Sequence, residues 1–146
     1  EVKRVLKPGG VHRIVVPDLE RYCRNYISHI SSSINNPDEA RKHDQYIEPI
    51  LEQSVRRESF GTSQQKSIQR FIENIFLGDA RNRGETHQWM YDKINLSTLL
   101  INLGYKNSVV QDYNTSLIPH WNEYGLDINE ESNEYKPESM YMEAQK

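Results

Sequence analysis

Six residues, Val11-His12-Arg13-Ile14-Val15-Val16, stand between two chain breakers. In front is Lys7-Pro8-Gly9-Gly10, and behind is Pro17-Asp18. The run is rich in β-branched side chains, and its second half is continuously apolar. That pattern is expected of a strand covered on both faces, as in a parallel sheet. Such a strand cannot stand alone. It needs neighbours in a sheet and helices above and below it, which restricts the chain to an α/β architecture.

The flanking segments agree with this frame. Val2, Val5 and Leu6 share one helical face, and Lys7-Pro8-Gly9-Gly10 then ends that helix with a cation, a residue that cannot continue it and a turn. The sequence opens at Glu1, without an initiator Met and already inside a helical pattern, so a preceding segment is expected. After Asp18, residues Leu19, Tyr22, Cys23, Tyr26, Ile27, Ile30 and Ile34 recur at intervals of three and four, which predicts a long amphipathic helix. Asn36-Pro37-Asp38-Glu39 reads as a second helix start. A third stripe through Tyr46, Ile47, Ile50, Leu51 and Val55 contains Pro49, which is expected to kink or split it. Residues 59–63 read as a turn. Ile68, Phe71, Ile72, Ile75 and Phe76 form the cleanest amphipathic face, stopped by Gly78.

Beyond a polar stretch, Asp92 or Asn95 is placed to cap a helix carrying Leu96, Leu99, Leu100 and Leu103, closed by Gly104. Residues 108–113 read as a strand and 117–137 as a polar loop. From 139 to 145, Met140, Met142 and Ala144 alternate with Tyr141 and Glu143, the period of a half-buried antiparallel strand. The order is α/β at both ends with a helical insert, at about residues 19–85, between them, read as a single domain over 1–146.

Composition excludes several classes. Net charge is -3, without the basic excess of a protein that neutralises nucleic-acid phosphates. No apolar run approaches a membrane span. Cys23 is the only cysteine, so no internal disulfide forms, and a cytoplasmic setting is expected. The mean hydropathy of -0.84 leaves a modest core. None of His12, His29, His43 and His120 has metal-ligand spacing to a second His or Cys. Nucleophile-elbow, phosphate-loop and C-x-x-C patterns are absent, which leaves a hydrolase without support.

Three pieces resemble one family. Residues 1–18, EVKRVLKPGGVHRIVVPD, resemble the helix, L-K-P-G-G turn and fifth strand of class I (Rossmann-like) S-adenosylmethionine-dependent methyltransferases. Residues 85–104, ETHQWMYDKINLSTLLINLG, followed by Tyr105, resemble the H-x-W-M-Y-D stretch of methyltransferases of a type found among glycan-biosynthesis genes. Residues 136–146, KPESMYMEAQK, resemble that group's last strand. The resemblance implies a sheet in the order 3-2-1-4-5-7-6 with the seventh strand antiparallel. This chain would supply a three-stranded mixed sheet of strands five, seven and six, as the C-terminal half of the domain. It implies methylation of a small-molecule or glycan-related acceptor. The cofactor, S-adenosylmethionine, would be held by a missing N-terminal half. Gly9-Gly10 precedes a strand and is in the wrong place to cradle a nucleotide.

Four residues are candidates for the site. Asp18 ends a predicted strand, where ligands gather in open α/β sheets, and its carboxylate could orient or deprotonate an acceptor hydroxyl. The competing reading is a helix N-cap. His87 is a candidate base, and Trp89 and Tyr91 are candidate walls of an acceptor pocket. In the alternative, Trp89 and Met90 pack in the core and His87 makes a structural hydrogen bond. Arg56, Arg57, Lys66, Arg70, Arg81 and Arg83 are a candidate basic rim for an anionic acceptor, or solvated helix faces. A second function is a non-catalytic helical interaction module, dimerising through the exposed edge of the first strand.

Overall fold

The β-branched run does form a strand. In a computed structural model that describes residues 1–55 and 89–146, β1 spans Val11–Pro17. Gly9 turns the chain into it with φ +75°, a conformation open to glycine. β2 covers Lys106–Gln111 and β3 covers Ser139–Gln145. Ahead of β1 lies α1, Val2–Val5, and after it come α2, Leu19–Ser33, α3, Pro37–Ala40, and α4, Asp44–Val55. α5 is Lys93–Asn102, and one 3₁₀ turn covers Trp121–Tyr124.

The chain forms two compact units. The first comprises Glu1–Tyr22 and Tyr91–Lys146 and holds the sheet; the second comprises Cys23–Met90.

In the first unit the sheet order is β1–β3–β2. Both pairings are antiparallel, so the sheet is not mixed as expected, although β1 and β2 point the same way on either side of β3. In the register, Arg13 faces Glu143, Ile14 faces Met142 and Val15 faces Tyr141. One face carries Ile14, Val16, Met140, Met142 and Ala144, which pack with Leu6, Tyr105 and α5 through Leu96 and Leu100. Burying each large side chain of this cluster contributes about 1.5–3 kcal/mol. Asp92 caps α5: its carboxylate accepts from the backbone N–H of Ile94 and Asn95, while the Asn95 side chain accepts from the Asp92 N–H. Gly104, at φ +79°, ends that helix, and Lys3 Nζ donates to the freed Leu103 carbonyl at 2.7 Å.

Three expectations change. β1 is half-buried along its length, whereas β3 is buried on both faces. The alternation read as half-buried is therefore a central strand, because its Tyr141 and Glu143 are covered as fully as Met140 and Met142. Leu99 and Leu103 are exposed, so only half of the α5 leucine stripe is core. β2 begins two residues early and carries an irregularity between Lys106 and Val109, with Asn107 at φ 50°.

In the second unit, Asn36 caps α3 through the N–H groups of Asp38 and Glu39, as the sequence predicts. α4 runs through Pro49 without a break. On α2 the buried residue is His29, stacked on Tyr46 with ring centroids 4.0 Å apart, while Ile27 and Ile34 of the expected stripe are exposed. The predicted turn at 59–63 and the amphipathic face from Ile68 to Phe76 lie outside the described residues, as does the basic rim from Arg56 to Arg83.

Candidate functional site

The carboxyl end of β1 brings together two of the four candidate residues. Asp18 follows the last strand residue and pairs with Tyr91 in an isolated parallel bridge. The Leu19 N–H donates to the Tyr91 carbonyl at 3.0 Å, and the Asp18 N–H donates to the Glu138 carbonyl at 3.0 Å. Asp18 is thus held between β3 on one side and residue 91 on the other.

Its side chain serves the helix that follows. Asp18 Oδ1 accepts from the Glu20 N–H at 3.0 Å, and the Asp18 carbonyl accepts from the Tyr22 N–H at 3.1 Å. This is N-cap geometry, and it satisfies amide donors that would otherwise be orphaned at the start of α2. Around Asp18 are alternating charges. Arg21 lies 3.6 Å from Glu134 and 3.5 Å from Glu138, and Lys93 lies 2.9 Å from Glu20. Burial, and then the Glu138 carboxylate, push the Tyr22 phenol above its ordinary range against the opposing pull of Arg21. The arrangement presents one carboxylate and one protonated phenol where a strand ends and a helix begins.

Tyr91 is half-buried and packs against the hydrophobic cluster. Trp89 is 66% exposed, whereas Met90 is buried, so the reading that placed both in the core holds only for Met90. His87 lies outside the described residues.

A second polar constellation had no clear signal in the sequence beyond an arginine inside an apolar strand. On the sheet face opposite the hydrophobic cluster, Arg13 Nε donates to Asp127 Oδ2 at 2.7 Å, and Nη1 donates to Glu143 Oε1 at 2.8 Å. The carbonyls of Thr115 and Asp112 accept from Arg13 at 2.8 and 2.9 Å. The guanidinium carbon lies 5.1 Å from the ring centres of both Trp121 and Tyr141. Ser116 Oγ and the Leu117 N–H donate to the Glu143 carboxylate, and Trp121 Nε1 donates to Asp127 Oδ2 at 2.7 Å. This network binds the segment after β2 to the sheet.

The Gly9-Gly10 turn does not fit the S-adenosylmethionine that the resemblance implies. The Gly9 N–H is used on the Lys146 carbonyl, and a Cβ on Gly10 would stand 2.9 Å from the Lys7 carbonyl oxygen. These glycines close a turn against the chain itself, leaving no cradle of free amides. The described residues also hold no group of three or more His, Cys, Asp or Glu placed for a metal ion, and no helix among them is long and apolar enough to cross a membrane. No family model, curated protein or solved structure matches the chain.

Proposed function

We propose that this chain is the C-terminal, acceptor-side portion of a class I, Rossmann-like S-adenosylmethionine-dependent methyltransferase, acting on a small-molecule or glycan-related acceptor in the cytoplasm. The observation that carries the reading is the strand order β1–β3–β2, with the central strand antiparallel to two flanking strands that point the same way. That is the order and sense of strands five, seven and six in the fold the sequence resembles. The cofactor would then be held by strands added along the outer edge of β1. Register supports pairing there: Gly10 and Asp18 bond to Lys146 and Glu138, the residues flanking β3, so Val11, Arg13 and Val15 turn their backbone groups to the outer edge, ahead of the Asp18–Tyr91 bridge. In this reading Asp18 and Tyr91 stand at the strand end where α/β proteins collect ligands, and methyl transfer asks of them mainly alignment of the acceptor.

Calorimetry tests the reading directly. The 146-residue chain titrated with S-adenosylmethionine should give no binding heat, and the longer gene product should bind it. Tight binding by this chain alone, or an upstream coding sequence without a strand and a glycine-rich turn, would overturn the assignment.

One observation favours a second reading, pairing of two copies through β1. The outer edge of β2 is guarded by Lys106 and an irregular register, devices that discourage pairing. Residues 11–15 of β1 show no irregularity of register. Light scattering decides this: a dimer that dissociates on Val15→Pro supports it, and a monomer at all concentrations removes it.

A further inference from the structure

Residues 112–137 join β2 to β3 with one 3₁₀ turn and one isolated bridge, Ile128 to Glu134, as their regular structure. Segments this long without strands or helices are uncommon in compact domains and are often functional. All of this one lies in the first unit. Of its residues only Asp127 is buried, while Leu117, Tyr124, Leu126 and Tyr135 leave apolar surface exposed. A gap of about 210 Å³ lies between its Leu126, Asp127, Tyr135 and Lys136 and the sheet residues Val15 and Tyr141. Apolar packing therefore does little to hold the segment down, which is the property of a region that opens ahead of the core.

Polar contacts hold it instead, and they converge on one side chain. Arg13 reaches the segment where it leaves β2, at the Asp112 and Thr115 carbonyls, 2.9 and 2.8 Å away, and again at Asp127 Oδ2, 2.7 Å away. The Leu117 N–H donates to Glu143 at 2.6 Å, and Glu143 accepts from Arg13 in turn. Near the other end of the segment, Glu134 faces the Tyr141 phenol, which burial and then this carboxylate push far above its ordinary range. Glu134 also lies 3.6 Å from Arg21, in the first turn of α2. Glu138, whose carbonyl accepts from the Asp18 N–H, lies 3.5 Å from the same guanidinium. The segment thus ends against the residues that surround Asp18.

We propose that residues 112–137 form a strap that opens and closes on the sheet as one unit, with Arg13 as its latch, and that closure sets Glu134 against Arg21 beside Asp18. The opening is a property of this chain without cofactor and does not rest on the methyltransferase reading; its meaning for an acceptor at Asp18 does.

The test is hydrogen exchange followed by NMR on the full chain. The Leu117 N–H and the Trp121 Nε1–H, which donates to Asp127, should exchange through a common opening that is more frequent than the one exposing the Met142 amide of β3. Arg13→Lys keeps a cation opposite Glu143 but lacks the guanidinium fork. It should speed exchange at Leu117 and Trp121 by roughly 10-fold, leave Met142 unchanged and shift the Arg21 Nε–H resonance. Trp121→Phe removes one donor from Asp127 outside the sheet and should speed Leu117 in the same direction. Leu117, Trp121 and Met142 sharing one opening in wild type would overturn the proposal, because the strap would then leave only on global unfolding. So would an Arg21 resonance unmoved by Arg13→Lys, or unchanged Leu117 exchange in both variants. None of these outcomes depends on cofactor binding, so the strap and the methyltransferase reading fail separately.

Discussion

Arg13 and Glu143 face each other across the β1–β3 register, joined by a 2.8 Å ion pair that is closed off from solvent on both sides. A carboxylate this deep is tolerated only because a cation and two further donors, Ser116 Oγ and the Leu117 N–H, meet it.

Arg13→Met should therefore lower stability by about 3–5 kcal/mol, because it leaves buried carboxylates without their cation. Adding Glu143→Gln should recover part of the loss, since one of the two buried charges is then gone while Asp127 keeps the other. Urea unfolding of wild type, single and double variants measures both. If the single variant costs less than about 1 kcal/mol, the pair does not hold the fold together.

His12 should give acid sensitivity. Its Nδ1 lies 3.0 Å from the Tyr105 hydroxyl, and desolvation holds its pKa below the ordinary value of about 6.5. The folded chain then binds this proton less readily than the unfolded chain. The stabilisation is present above about pH 6.5 and is lost as pH falls through the folded value. Melting temperature should drop between pH 8 and pH 5 by more in wild type than in His12→Gln. Equal slopes would remove His12 from the account.

Asp18→Ala should cost about 0.5–2 kcal/mol through loss of the α2 cap, while Asp18→Asn should keep most of it. Thermal melts of the two variants separate capping from charge. Equal melting temperatures for Asp18→Ala and wild type would remove Asp18 from the capping account.

Gly104→Ala should cost about 1–2 kcal/mol, because φ is +79°. The added Cβ would also displace the Lys3 ammonium that caps α5. Combining it with Lys3→Met should give less than the sum of the two losses, since both act on one helix end. Additive losses in denaturant melts would mean that the ends act independently.

The elements whose signals are local were legible in the sequence. The breakers around 11–16 delimit β1, Asn36 starts α3, and Asp92 with Asn95 starts α5. What stayed hidden depends on partners far along the chain. Glu143 reads as solvent-facing until Arg13 is placed opposite it. Asp127 reads as part of a polar loop until Arg13 and Trp121 reach it. Pro49 reads as a kink or a split, and α4 continues through it without the split. Of the candidate site, Asp18 and Tyr91 were chosen from strand-end position and aromatic clustering, and the structure brings these two together in one bridge. Tyr141 reads as a solvent-facing residue of a half-buried strand until its burial beside Arg13 is known.

The position of β3 in the chain has a consequence for biosynthesis. It lies between β1 and β2, yet it is the last of the three to leave the ribosome, roughly 120 residues after β1. Until then both flanking strands lack β3, and the edge of Ile14-Val15-Val16 that pairs with it waits open. A nascent chain stalled before residue 139 should be a strong client for chaperones and prone to self-association, whatever its mature function.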